Sequence, residues 1–258
     1  MPELSNSTTG SSTAGNGPAG STRGWTGASA ILFDLDGVLT PTAIVHERAW
    51  QELFDGYLQD VPEADGYRES DYFHHIDGKP RFDGVRDFLA SRSIVLPEGP
   101  ADDDPANNTV HGLGNRKNKV FNDIVEAGGV APYEGSVRFL EAAQALGLKV
   151  AVVSSSRNAP AVLQAAGLAH HFPVVVDGVV AAAAGLPGKP SPATYDYAAQ
   201  LLDLPSEECV VVEDAVSGVQ AGNAGTFHSV IGVDRGAGRQ TLLDAGATLV
   251  VEDLNELL

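Results

Sequence analysis

Ala30-Ile31-Leu32-Phe33-Asp34-Leu35-Asp36-Gly37-Val38-Leu39-Thr40 is an apolar run that breaks into two carboxylates one residue apart, then a glycine, then Thr40-Pro41. About four consecutive apolar residues suit a strand buried on both faces of a parallel sheet, and ligands of such sheets gather beyond the strands' carboxyl ends. Asp34 and Asp36 stand at that end. Two acids so close raise each other's pKa unless a cation, a phosphate-binding partner or solvent relieves them. A polar exit from the strand is the plainer reading, and the rest of the chain must decide.

Outward from this stretch, Thr40 as a cap and Pro41 in the first turn predict a helix of about 17 residues, with Trp50, Leu53, Phe54 and Tyr57 at helical spacing. His46 lies on the same stripe, so it reads equally as a packed, hydrogen-bonded histidine or as a functional one close to Asp36. From Asp60 to Gly129 the pattern is broken helices and polar loops, with no parallel-sheet strand. Gly112-Leu113-Gly114-Asn115-Arg116-Lys117-Asn118 reads as a lead into an amphipathic helix (Val120, Phe121, Ile124, Val125) that stops at Gly128-Gly129. Gly112-Leu113-Gly114 is a weak dinucleotide signal because no strand precedes it. The stretch as a whole reads as a helical insertion.

After Tyr133 the texture becomes regular alternation. Helices are expected over Ser136–Leu146 and Ala159–Ala166, each closed by glycine, and from Ser191-Pro192 through Leu202. Strands are expected at Leu148–Val153, Val174–Val176, Val210–Val212, Val230–Val233 and Leu249–Val251. Strands alternating with helices imply right-handed crossovers and a parallel sheet covered on both faces. The strand before Asp34 belongs to that sheet.

At 258 residues the chain can bury a full core. A formal charge of −18 disfavours nucleic acid and anionic membranes as partners. Cys209, in an apolar run, is expected to be a small core residue. No uninterrupted apolar stretch long enough for a membrane span is present, nor a basic-then-apolar leader, so a cytoplasmic protein is expected. Residues 1–27, rich in Ser, Thr, Gly and Asn, are expected to form a disordered tail.

Three strand ends carry polar chemistry: Asp34 and Asp36, Ser154-Ser155-Ser156-Arg157-Asn158, and Glu213-Asp214, with Lys189 in a loop between the last two. Strand ends on one edge of a parallel sheet converge. Carboxylates and a backbone carbonyl are the hard oxygen ligands that Mg²⁺ takes, with waters and a phosphate oxygen completing an octahedron at about 2.1 Å. No His or Cys cluster accompanies them, which argues against a transition metal. Ser154 to Ser156 precede a helix start that favours an anion, and Lys189 adds a compact positive charge. Together they would cradle a transferring phosphoryl group.

These residues resemble the haloacid dehalogenase-like superfamily of Mg²⁺-dependent phosphotransferases. Asp34-Leu35-Asp36-Gly37 resembles its first motif, Ser154 its second, Lys189 its third and Glu213-Asp214 its fourth, and the likeness spans residues 30 to 235. It implies a Rossmann-like parallel-sheet core with helices on both faces (28–41 and 131–258) and an inserted α-helical cap domain (42–130). It also implies that Asp34 is the nucleophile forming a phosphoaspartate. Asp36 would be the general acid/base and give its carbonyl to Mg²⁺, while Glu213 and Asp214 hold the metal. Ser154 and Lys189 would neutralise phosphoryl oxygens. Dehalogenation is not expected, since it needs neither the second acid nor the metal pair.

Within the superfamily the chain is similar to the β-phosphoglucomutase group. Thr42 and His46 follow the first motif at that group's spacing, Gly78-Lys79-Pro80-Arg81 matches its cap loop, and Arg116-Lys117-Asn118 matches its Arg-Lys-Asn. By that resemblance Arg81, Ser156, Arg157 and Asn158 would hold the distal phosphate of a sugar bisphosphate, while Lys117 and His46 support the sugar and Asp36. Departures are a longer loop before Arg116, Glu134 in the usual Tyr-Pro-Gly, and Lys189-Pro190-Ser191-Pro192-Ala193. The expected protein is a monomeric enzyme on a small sugar phosphate. A sugar-phosphate phosphatase on the same machinery and a non-catalytic phosphosugar-binding module stay open as alternatives.

Overall fold

A computed structural model describes residues 24 to 258, apart from 62 and 129. Its centre is β1 (Ala30–Phe33), whose residues alternate between two apolar layers: Ile31 and Phe33 enter one, Ala30 and Leu32 the other. A strand buried on both faces needs neighbours on both edges, and β1 has them. It pairs in parallel with β2 (Lys149–Val153) and β4 (Cys209–Glu213), Phe33 standing level with Val152 and Val212. With β3 (Val174–Val176), β5 (Ser229–Val233) and β6 (Leu249–Val251) the order is β3-β2-β1-β4-β5-β6, parallel throughout. Strand order reverses direction at β1 and β4, the switch point where open parallel sheets bind ligands.

The chain leaves β1 through α1 (Thr42–Leu58), α2 (Glu69–Asp71), a π-helical turn (Tyr72–Ile76), α3 (Arg81–Ser91) and α4 (Val110–Gly128). These helices have an apolar cluster of their own, in which Trp50 and Phe88 both stack on Phe54, and Leu113 closes the centre. The remaining helices are α5 (Glu134–Ala145), α6 (Ala159–Ala165), α7 (Gly178–Ala183), α8 (Ala193–Leu201), α9 (Val216–Ala224) and α10 (Arg239–Asp244). Side chains of α5 and α6 cover one face of the sheet, and those of α8, α9 and α10 the other. Among the described residues no helix is long and apolar enough to cross a membrane.

Three sequence expectations need correction. The tail expected over 1–27 does not reach Gly27: Trp25 is buried edge-on against Phe139, and the Gly24 carbonyl accepts a bond from the Ser229 hydroxyl, because an indole offers too much apolar surface to leave in water. Residues 1–23 lie outside the described part. Helix α1 begins at Thr42 with Pro41 at its cap position, and the Thr40 hydroxyl bonds to Leu35 O and the Thr42 hydroxyl instead of capping.

The third correction concerns Gly112 to Asn118, which lie inside α4 and not before it. Glycine lowers helix propensity, but here packing overrides it. A Cβ at Gly112 would overlap the Asn107 carbonyl, and one at Gly114 would stand 2.6 Å from the Phe82 ring. The glycines let α4 approach α3 and the preceding loop, and so bring Lys117 over the sheet edge. Cys209 is buried as expected.

Candidate active site

Parallel register sets the site. Because Phe33 is level with Val152 and Val212, the next residues, Asp34, Val153 and Glu213, stand side by side at the carboxyl edge of the sheet. The Asp34 amide donates to Val212 O at 2.9 Å, and the Ser154 amide to Val176 O at 3.0 Å. Lys189 is buried beneath this edge, with Nζ 2.6 Å from Asp34 Oδ1, 3.1 Å from Val153 O and in contact with Glu213 Oε1. It therefore joins three strand ends.

Glu213 is partnered at both carboxylate oxygens. Oε1 also accepts from Tyr195 Oη at 2.8 Å, and Oε2 accepts the amides of Asp214 and Ala215 at 3.1 Å each. Asp214 is not: among the described residues no hydrogen bond or ion pair reaches its carboxylate. Burial first, and then the carboxylates of Asp77, Glu213, Asp34 and Asp36, push its pKa well above the ordinary value. Burial also raises Asp34, against the pull of Lys189. Burial alone would lower Lys189, but the Asp34 and Glu213 carboxylates outweigh it and hold its proton.

This arrangement fits a hard divalent cation. Asp34, Glu213 and Asp214 each offer an oxygen, all within 4.8 Å of one another, and the donor set is oxygen throughout. Repulsion around Asp214 is what a cation would relieve. The Asp36 side chain stands outside this cluster and turns toward α1. Its carboxylate accepts from the Thr42 hydroxyl and lies 3.5 Å from both Ser154 Oγ and His46 Nε2. Burial would raise its pKa, but His46, Thr42 and Lys117 bring it below the ordinary value.

The helices close over this edge. Lys117 is buried, its Nζ against His46 Nδ1 and 5.1 Å and 4.9 Å from the centroids of Trp50 and Phe121. Burial, and then the positive Arg81, lowers it to about 7. His46 stacks on Phe121 with centroids 4.0 Å apart, and burial and Lys117 depress its pKa. Arg81 has a buried Nε with no partner, and burial and the nearby Arg157 bring it down to about 10. Asn158 Nδ2 donates to Asn118 Oδ1 at 2.7 Å, and Ser156 Oγ accepts the Asn158 amide at 3.1 Å. One cavity is lined by the acids Asp34, Asp36 and Asp214 with Ser154, by Arg81, Ser156, Arg157 and Asn158, and by His46, Gly78, Lys79 and Lys117.

Thr42 lies behind Asp36 and Lys189 lies under Asp34, so neither lines the cavity. The Lys79 ammonium is engaged with Asp87 Oδ2 at 2.7 Å and His75 O at 3.2 Å. Arg116 turns away, to Pro105 O and Asn108. The sequence reading missed Asp77, Tyr72 and Tyr195. Asp77 lines the cavity, and burial and Glu213 raise its pKa to about 7. No periodicity marks that loop, so only the fold reveals it.

Known proteins resemble this chain in sequence and in fold. The family model described as haloacid dehalogenase-like hydrolase matches residues 28–226. A β-phosphoglucomutase of Mycobacterium bovis is 46% identical over 238 residues, covering 89% of this chain and 91% of that protein. The β-phosphoglucomutase of Bacillus subtilis is 31% identical, covering 88% and 91%. Among solved structures, β-phosphoglucomutase from Clostridium difficile superposes with a TM-score of 0.71 at 23% identity, covering 90% of this chain and 93% of that one, a likeness of fold.

Proposed function

The chain belongs to the haloacid dehalogenase-like hydrolase family, and from that premise we propose that it is a Mg²⁺-dependent phosphotransferase that interconverts β-glucose 1-phosphate and glucose 6-phosphate. The observation that carries the reading is that one cavity is lined both by the Asp34, Asp36 and Asp214 carboxylates and by the Arg81 and Arg157 guanidiniums. At one end we place the carboxylate nucleophile Asp34, with Lys189 beneath it, and at the other the Arg81 and Arg157 guanidiniums, to which no carboxylate among the described residues is hydrogen-bonded. A phosphatase of simple esters needs only the first end. The mycobacterial and bacillary relatives named β-phosphoglucomutase support the choice of sugar.

In this reading Asp34 attacks phosphorus and becomes a phosphoaspartate as the sugar oxygen leaves. Asp36 takes the proton of the incoming sugar hydroxyl and returns it to the departing oxygen. The Thr42 hydroxyl and His46 hold the Asp36 carboxylate in place, Ser154 meets the phosphoryl oxygens, and Lys189 bonds the Asp34 carboxylate from beneath, where its charge reaches the reacting oxygen. Asp34, Glu213, Asp214 and the Asp36 carbonyl would hold Mg²⁺, which supplies positive charge where the phosphoryl oxygens gain negative charge. Arg81, Ser156, Arg157 and Asn158 bind the distal phosphate, for which a planar guanidinium is well shaped. Lys117 lies along the sugar. Residues 42–130 act as a cap that excludes water while the bisphosphate turns around.

Phosphorus NMR tests this. With Mg²⁺, β-glucose 1-phosphate and a trace of glucose 1,6-bisphosphate, glucose 6-phosphate should appear without inorganic phosphate. Dominant inorganic phosphate would make the protein a phosphatase, and no turnover would leave it a binding module.

A further inference from the structure

The run Ser154-Ser155-Ser156 divides its hydroxyls among three tasks, and the one in the middle is not used by the chemistry above. Ser154 Oγ faces Asp36 and accepts the Ser156 amide at 3.1 Å, and Ser156 Oγ accepts the Asn158 amide. Ser155 Oγ donates across to the Gly78 carbonyl at 2.8 Å. A second hydroxyl does the same one residue away: Ser217 Oγ, buried at the start of α9, donates to the Asp77 carbonyl at 2.9 Å.

Both acceptors lie in the loop before α3, which carries Asp77 and Arg81 into the cavity. The approach is tight. A Cβ at Gly78 would overlap the Ser217 hydroxyl and stand 2.9 Å from Ala215 Cβ, and a Cβ at Gly188, the residue before Lys189, would overlap the Pro80 ring. The loop thus touches three core segments, beside Ser154, beside Lys189 and just after Glu213-Asp214. These are the segments that build the phosphoryl end of the site.

We propose that Ser155 and Ser217 are positioning residues that clasp the backbone of Asp77 and Gly78, and that this clasp sets the division between transfer to a sugar hydroxyl and transfer to water. It rests on the function proposed above and adds what registers the helices over the site. A hydroxyl donating to a peptide carbonyl is directional, so two of them on adjacent carbonyls fix both the height and the rotation of the loop. Ser155 lines the cavity, but its hydroxyl is turned to the Gly78 carbonyl, and Ser217 does not line it, so loss of either hydroxyl acts first on closure. Each bond is neutral, and removing one should raise the population with the loop displaced about fivefold.

The test uses Ser155→Ala, Ser217→Ala and the double variant, with Ser91→Ala as a control. Ser91 makes a bond of the same kind, 2.6 Å to Phe88 O, away from the site. Two readouts are needed. Amide exchange of the peptide spanning 76–82, with Mg²⁺ and inorganic phosphate present, should quicken about fivefold in each single variant and more in the double, with no change in the control. The share of β-glucose 1-phosphate released as inorganic phosphate should rise several-fold, with KM for the sugar phosphate rising more than kcat falls. Unchanged exchange overturns the clasp. Faster exchange with an unchanged phosphate share overturns its role in partition. If the wild-type protein makes no glucose 6-phosphate, the mutase reading fails instead. The share of transfer to an added alcohol over water, from any phosphate ester the protein accepts, then takes the place of the second readout and decides in the same way.

Discussion

Lys189 Nζ lies 2.6 Å from Asp34 Oδ1 and also contacts the Glu213 carboxylate, so one buried ammonium joins the ends of β1 and β4. Lys189→Met leaves both acids without their cation. Turnover should fall about 10²- to 10³-fold, as for loss of one preorganised charge at a reacting oxygen. Stability should fall by about 3 kcal/mol, as when one partner of a buried pair is removed. Initial rates and urea midpoints check the two separately.

Asp34→Asn should behave in the opposite sense on stability. Burial already holds the Asp34 carboxyl well above its ordinary pKa, so a neutral amide of the same shape removes strain between acids. Turnover should be abolished while the melting temperature holds or rises. A phosphoenzyme detectable by intact mass in the wild type should be absent from the variant, and retained activity would refute the covalent route.

Lys117 gives a pH signature. Its folded value of about 7 lies below its ordinary 10.5 because of burial and Arg81. Between these values the unfolded chain binds a proton that the folded chain does not, so stability rises with pH across this window and falls as pH drops toward 7. Lys117→Met should flatten that rise, by on the order of a few kcal/mol. Denaturant midpoints of both proteins from pH 7 to 10 show whether it does.

Arg81→Lys keeps the charge and loses the planar fork. KM for the sugar phosphate should rise about 10- to 100-fold, while hydrolysis of a small aryl phosphate, which has no distal phosphate, should change less than threefold. Equal losses on both substrates would place Arg81 outside the distal-phosphate end.

Around Asp214 four carboxylates repel, and Mg²⁺ should relieve them. Added Mg²⁺ is expected to stabilise the fold by about 2.7 kcal/mol at a hundredfold excess over its Kd. The gain should be larger at pH 8 than at pH 5, because the ligands must give up protons. Asp214→Asn should erase most of the gain, and calorimetric Mg²⁺ titration provides a second reading without any substrate.

Much of this site was legible in the chain. Asp34, Ser154 and Glu213 each follow an apolar run, and a parallel sheet necessarily sends such residues out on one edge. Arg81 and Lys117 were legible only through resemblance, since the loop before Arg81 has no periodic signal and the glycines before Lys117 hide that it lies inside α4. Asp77 and Tyr195 were not legible: one sits in a polar loop, and the other is an apolar-face residue of α8 whose hydroxyl happens to reach Glu213. The glycines of α4 misled because propensity is local, whereas their reason, the Asn107 carbonyl and the Phe82 ring, is not.

The sequence by itself determined the alternation of strands and helices, the all-parallel sheet and the acids at its strand ends. These follow from hydrophobic periodicity and from turn and cap chemistry within a few residues. Only the tertiary structure decided that Lys189 meets Asp34 across 155 positions, that Trp25 belongs to the core, and that Ser155 and Ser217 grip the loop of Asp77 and Gly78. Such contacts depend on where packed elements bring distant backbone together, and side-chain pattern along the chain carries no record of that distance.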